Sequence, residues 1–378
     1  MKLLLLFLFW CMWFLNFTTR TIFSPLLPVI EDEFGISHAL AGSLILFMSL
    51  GYAISLVLSG FLSPRMGYKR TILFSHLLIA FALMGLRYAG TYSSVGILCL
   101  VTGLGAGLYL PCAIPLLTHI FSRENWGKAI VLHDSAAPVS ILSVPLLVAL
   151  SSAWVPWRDL FLILGVVFLV SIAAFGLLAP SPAVQHEDRK VFSRVICRKN
   201  FWFMAVLWIF ASATSLGFYQ IIPLFLVKER GFALDAANSV LGLTRIGSLV
   251  IAILAGFLAD RYGGKRILMI AFLTTGLSTM AVAAVTWTPA LVGLLFLQAS
   301  FNTAFFPVGL MAVSMMTAPS ERSAFTGAVV AAGVIFGFGL TPPTLGAIAD
   351  HWSFQMGILG LGFATLLSSW FAHLLDEI

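Results

Sequence analysis

Twelve apolar runs, each long enough to cross a bilayer, follow one another along this chain with little more than a turn between most of them. They cover residues 4–28, 38–62, 71–90, 94–120, 128–151 and 158–180, then 200–227, 235–259, 267–287, 290–317, 323–348 and 354–375. A helix rises about 1.5 Å per residue and needs roughly 20 apolar residues to cross hydrocarbon. Lipid offers no partner to backbone amides, so open strands cannot occupy such runs and each must be a helix. Only 10% of the residues are charged and 60% are hydrophobic, against about 25% charged in a soluble domain. A soluble enzyme, a disordered chain and a disulfide-rich scaffold are thereby excluded. The 378 residues leave no room for a large soluble domain beside twelve spans.

The start of the chain, Met1-Lys2 and a leucine-rich run, imitates a signal peptide. The run continues to Pro28 with no small-residue cleavage site, so it reads as the first transmembrane helix. Cys11, Cys99, Cys112 and Cys197 form no C-x-x-C pair, and no His/Cys/Asp/Glu cluster has metal-ligand spacing. Neither metal nor cofactor is expected.

Lys and Arg set the orientation. With the N-terminus inside, fifteen of the 21 fall on the cytoplasmic side and four (Arg87, Arg158, Lys228, Arg230) outside. Arg20 and Arg245 remain within spans. Both termini are therefore expected in the cytoplasm, in a plasma (inner) membrane protein. The net charge of +6 follows from this bias. No loop is long enough to build a basic face for nucleic acid.

The two halves repeat. Gly60-Phe61-Leu62-Ser63-Pro64-Arg65-Met66-Gly67-Tyr68-Lys69-Arg70 recurs 196 positions later as Gly256-Phe257-Leu258-Ala259-Asp260-Arg261-Tyr262-Gly263-Gly264-Lys265-Arg266. Pro111 and Pro307 keep that offset, as do Gly35 and Gly231. The expected fold is all-α: twelve transmembrane helices in two pseudo-symmetric six-helix bundles, residues 1–180 and 200–378, joined by a cytoplasmic linker at 181–199.

The pattern G-F-L-x-D-R-x-G-G-K-R after the second helix of each half resembles the loop motif of the major facilitator superfamily, and the resemblance spans the chain. It implies a secondary transporter fold with glycines (Gly60, Gly67, Gly256, Gly263) allowing close helix approach and Arg65 and Arg261 in the same loops. It also implies that Asp260 holds a helix N-terminus of the opposite half, a contact the helix dipole favours by roughly 0.3–1 kcal/mol. Pro64 stands where the N-terminal copy should carry Asp, which leaves one of two symmetric cytoplasmic latches in question.

Few ionisable residues interrupt the spans, and such residues usually face a cavity. Arg20 lies about 12 Å from the outer end of its span and Arg245 about 21 Å from the inner end, so both fall in the outer half of the membrane. Two guanidiniums at one depth suit a carboxylate or phosphate, whose oxygens match the planar fork. The alternatives are snorkelling or pairing with Glu31 through Glu33 for Arg20, and a structural ion pair for Arg245. His133 and Asp134, about 10 Å from the inner face, read either as a proton-coupling site or as a polar contact at the cytoplasmic mouth. Adjacent helical positions diverge by about 100°, so the two cannot both face a cavity squarely. His76 and His119 read as interfacial. Asn16, Phe17, Tyr109, Tyr219, Gln220, Gln298, Asn302 and Phe305 lie on spans 1, 4, 7 and 10, which in the resembling family line the central cavity. As aromatics and amides in apolar helices they could equally be packing residues. Pro111, Pro115, Pro138, Pro145 and Pro307 should bend their helices.

The leading expectation is a monomeric secondary active transporter that moves a small anionic solute by alternating access, coupled to protons. G-x-x-x-x-G-K-[ST] is absent, so ATP is not the direct driver. An exporter of amphipathic compounds such as drugs or siderophores is the alternative. A membrane-embedded enzyme is remote, because His133–Asp134 has no assignable nucleophile.

Overall fold

The structure is a computed structural model and describes residues 2–182 and 197–375. Positions 183–196, most of the expected linker, lie outside the described residues. Twelve helices among the described residues are long and apolar enough to cross a membrane. They are α1 (Lys2–Phe34), α2 (His38–Met66), α3 (Tyr68–Leu86), α4 (Tyr92–Ile120), α5 (Arg123–Ser151), α6 (Trp157–Leu178), α7 (Lys199–Lys228), α8 (Leu234–Tyr262), α9 (Gly264–Ala284), α10 (Thr288–Met316), α11 (Ala324–His351) and α12 (Phe354–Leu374). The all-helical fold expected from the sequence is the one observed.

The described chain groups into two units, one within Met1–Gly35 and Leu44–Glu187, the other within Ile36–Ser43 and Asp188–Ile378. In the first, α3 packs along α4 and α6 while α1 packs on α5. In the second, α9 packs along α12 and α10, α8 on α10, and α7 on α11.

The repeat is written in the backbone. Among the described residues the four glycines with positive φ form two pairs 196 positions apart. Gly35 and Gly231, at φ 57° and 69°, end the first helix of each half; Gly67 and Gly263, at 85° and 90°, turn the second into the third. L side chains disfavour this region, so the turns require glycine. The same offset governs two carboxylates. Glu33 accepts from Trp157 Nε1 and Arg158 Nη2, both at 2.6 Å, at the start of α6. Its counterpart Glu229 accepts from the Phe354 amide at the start of α12. Arg158 donates to the Leu86 and Ala89 carbonyls (3.1 and 2.7 Å) that end α3, and Arg230 to the Ala283 carbonyl (3.1 Å) that ends α9. In each half an arginine covers carbonyls at the end of the third helix, although Arg158 and Arg230 do not occupy matching repeat positions.

The first turn of α2 belongs to the second unit. Asp350, near the end of α11, accepts from the amides of His38 (2.9 Å) and Ala39 (3.0 Å). Gly42 makes the approach possible, since a Cβ there would meet the Pro342 backbone at 2.5 Å. Two first-turn donors, otherwise orphaned, are satisfied by one carboxylate. Asp350→Ala is expected to cost about 1 kcal/mol. Amide hydrogen exchange should read this as faster uptake confined to residues 36–43; unchanged protection there would refute the cap.

Among the described residues six of the twelve helices are interrupted. α1 bends at Ile22, α5 at Ser135 and α10 at Ala304. Each bend lies three residues before a proline (Pro25, Pro138, Pro307), whose missing N–H frees the carbonyl four residues back. α8 breaks at Thr244–Arg245 with no proline nearby. α7 and α11 carry π-helical turns at Ala213–Gly217 and Gly333–Gly339. Pro111 and Pro115, by contrast, sit inside an unbroken α4.

Candidate functional site

Seven of the expected site residues stand beside these interruptions, whereas Tyr109 lies in the unbroken α4. Arg20 precedes the bend of α1, His133 and Asp134 that of α5, and Asn302 that of α10. Arg245 occupies the break of α8, and Tyr219 and Gln220 follow the π turn of α7. Broken helices free backbone groups at membrane depth, and such segments recur where transporters bind their cargo.

In the first unit, Arg20 is 7% exposed and caged by rings. Its Cζ lies 4.3 Å from the ring centroid of Tyr52, 4.6 Å from that of Phe17 and 5.4 Å from that of Trp13. Nη2 donates to Asn16 Oδ1 at 3.2 Å, and Asn16 Nδ2 donates to the Ala106 carbonyl at 3.3 Å. Rings carry negative faces, so the cage stabilises a charge that bulk water no longer solvates. Glu33, one expected partner of Arg20, is engaged by Trp157 and Arg158.

A second buried group lies further down the same unit. Tyr109 donates its hydroxyl to the Phe9 carbonyl at 3.1 Å and stands 3.2 Å from His133 Nε2. Trp13 stacks on both rings, with centroids 5.6 Å away. His133 Nδ1 lies 3.4 Å from Asp134 Oδ1. The pair divides its surroundings as helical geometry requires: the His133 side chain is fully buried and that of Asp134 is 60% exposed. His76, expected at the interface, is instead fully buried on α3. Its ring packs 5.1 Å from Tyr109 and 5.2 Å from Phe168.

In the second unit, Arg245 is 5% exposed and its Cζ sits 5.0 Å over the Tyr219 ring. Its Nε and Nη2 have no hydrogen-bond partner among the described residues. Tyr219 and Gln220 are fully buried. Asn302 clasps α7 through Nδ2, which donates to Thr214 Oγ1 (2.6 Å) and to the Ala211 carbonyl (3.3 Å), while its Oδ1 has no hydrogen-bond partner among the described residues. Gln298, one turn earlier, donates Nε2 to the Thr214 carbonyl at 2.8 Å. The loop-motif residues Gly60, Arg65, Asp260 and Arg261 are exposed, Gly256 is half-buried, and Gly67 and Gly263 form the turns described above. None of these four glycines serves the close helix approach expected of it, since a Cβ at each would meet no atom within 4 Å.

Sequence reasoning missed Trp13, Tyr52 and Thr214, which only packing brings to these groups. A signal for Trp13 existed: it falls on the α1 face shared by Asn16, Phe17 and Arg20 at i, i+3, i+4 and i+7.

Comparison with known proteins follows the same line. The family described as Major Facilitator Superfamily matches residues 9–249 and 221–377. The chain is 25% identical over 365 residues to the "Cis,cis-muconate transport protein" of Acinetobacter baylyi, covering 90% of this chain and 85% of that protein. It is 24% identical over 311 residues to the "Probable sulfoacetate transporter" of Cupriavidus necator, covering 73% and 70%. The match to the "Protein TsgA homolog" of Edwardsiella ictaluri, 24% identical over 217 residues, spans 56% of this chain and only about half (54%) of that protein. A crystallised bacterial homologue of the human lysosomal transporter Spinster, inward-facing and occupied, superposes with a TM-score of 0.86 at 13% identity, covering 98% of this chain and 96% of that one. Matched from residue 9 to residue 377, this multi-pass membrane chain belongs to the major facilitator superfamily of secondary transporters.

Proposed function

We propose that the transporter carries a small organic anion by alternating access, driven by proton symport. The observation that supports the anion is Arg245, a guanidinium 5% exposed with two donor nitrogens unmatched among the described residues. Holding such a charge away from water costs several kcal/mol. A carboxylate, sulfonate or phosphate that takes both donors at once repays that cost with a planar, charge-assisted fork. Arg20 is the second positive charge assigned to the cargo, with Asn16 fixing its orientation. The relatives named for sulfoacetate and for cis,cis-muconate are named for organic anions. His133, with Asp134 beside it, is the proposed proton carrier. Tyr109, Tyr219, Gln220 and Asn302 shape the cavity walls, and Asp260 with its glycine turn serves as the cytoplasmic latch of the C-terminal half. In this reading the protein works as a monomer in the inner membrane with both termini in the cytoplasm.

Purified protein in liposomes with an inward acid gradient should accumulate an organic anion; sulfoacetate and cis,cis-muconate are the first probes. Transport restricted to neutral sugars or amphipathic cations would overturn the reading.

A further inference from the structure

We infer that the cargo carries a hydrogen-bond donor, a hydroxyl or an ammonium, in addition to its anionic group. The inference rests on the anion reading of Arg245 and adds a second recognition point, Gln298.

Gln298 is fully buried, and its Nε2 donates to the Thr214 carbonyl at 2.8 Å. A carbonyl can only accept, so the orientation of the amide is fixed and Oε1 must be its other end. That Oε1 has no hydrogen-bond partner among the described residues. Two donors that meet at Thr214 are committed: Thr214 Oγ1 gives its hydrogen to the Phe210 carbonyl at 2.7 Å, and Asn302 Nδ2 is spent on Thr214 Oγ1 and the Ala211 carbonyl. Gln298 Oε1 is therefore a buried acceptor left open among the described residues.

The same stretch of α7 holds both recognition points. Gln298 binds Thr214, inside the π turn, and Arg245 lies over Tyr219, five residues on. Five residues of helix rise about 7 Å, less where π-helical. The packing of α8 on α10 agrees: Ser248 Oγ donates to the Ala299 carbonyl at 3.0 Å. Arg245 is three residues before Ser248, and Gln298 is one before Ala299. An open pair of donors and an open acceptor, both held against the same stretch of α7, describe a small cargo that presents acceptors at one end and a donor near it. An anion with acceptors only would leave Gln298 Oε1 buried and unmet.

Matched pairs test this on the purified full-length protein by calorimetry: acetate with glycolate, propionate with lactate and alanine, succinate with malate and aspartate. A site built to bond a ligand donor rejects the analogue that lacks it, so the substituted member of a bound pair should bind at least about tenfold more tightly. Comparing hydroxyl with ammonium members identifies the donor. Sulfoacetate and cis,cis-muconate, which carry acceptors only, should fall with the unsubstituted members. In Gln298→Met the preference should fall to near unity while the anion still binds. Equal binding within every pair, on the unmodified protein alone, overturns the donor and leaves the anion reading standing. A preference undiminished in folded Gln298→Met overturns the role of Gln298. Binding of no anion in the panel overturns both readings.

Discussion

Replacing Arg245 by alanine is expected to lower anion uptake by about two orders of magnitude or more while leaving the fold intact or firmer. The first half of that expectation follows from the open donors. A charge-assisted hydrogen bond to a buried guanidinium is worth roughly 2–5 kcal/mol when its partner is truncated, and about 2.7 kcal/mol already amounts to a hundredfold. The second half follows from the same openness. A guanidinium 5% exposed with unmatched nitrogens is a cost in the empty protein, so deleting it removes a penalty. Loss of transport with an unchanged or raised melting temperature is the signature of a residue kept for its ligand. Arg245→Lys keeps the charge but loses the fork, and should recover only part of the uptake. Uptake at parental rates in Arg245→Ala, measured in proteoliposomes, would remove Arg245 from the site. A fallen melting temperature with partial uptake would assign it to structure instead.

His133→Gln is expected to abolish uphill accumulation while sparing exchange of anion for anion down its own gradient. The reason lies in where the hydrogens must be. Tyr109 gives its hydroxyl hydrogen to the Phe9 carbonyl, so the 3.2 Å contact to His133 Nε2 can be a bond only if Nε2 carries a hydrogen. In the neutral ring Nδ1 is then a bare lone pair 3.4 Å from a carboxylate oxygen of Asp134. A second proton on Nδ1 turns that opposition into an ion pair, and the Trp13 face stacked on the ring stabilises the cation further. This geometry is what motivates the proposed role of His133 as carrier, and glutamine, which fits the space, cannot take a proton. An acid-gradient accumulation ratio at least about tenfold below the parent, with counterflow retained, is the expected reading. Accumulation undiminished in the variant would discard His133 as the carrier. Asp134→Asn should act in the same direction but less, because a side chain 60% exposed is screened by its surroundings.

Helix number and repeat offset could both be read from the chain, whereas the glycines of the repeat stand out by position and not by the turns they make. They depend on local chemistry: twenty apolar residues in lipid admit one conformation, and Gly35, Gly67, Gly231 and Gly263 mark turns that other residues resist. The proline-associated bends were legible in kind but not in place. Pro138 and Pro307 bend their helices, whereas Pro111 at the same repeat position as Pro307 does not. Neighbours decide whether a freed carbonyl is compensated, and neighbours are not in a linear pattern. The break at Thr244–Arg245 and the two π turns carry no local mark at all. Arg20, Arg245, His133 and Asp134 stood out because charge is scarce in these spans. Tyr52 and His76 did not, since an aromatic or lone histidine in an apolar helix looks the same whether it faces lipid or cages an arginine, and Trp13 was marked only by its spacing from Asn16, Phe17 and Arg20. Burial on α3 between Tyr109 and Phe168 is a tertiary fact, and it overrode the interfacial expectation for His76.

The contact between Asp350 and the start of α2 closes a span of 312 positions. A chain made from its N-terminus inserts that turn early and then waits for almost all of α3 to α11 before its acceptor exists. Until then the His38 and Ala39 amides have only solvent or lipid headgroups to bond. The first turn of α2 is thus among the last pieces of secondary structure to be secured, although it is among the first to be synthesised. Chains halted before residue 350 should carry this turn frayed, and a biogenesis checkpoint that surveys exposed helix ends would find it there.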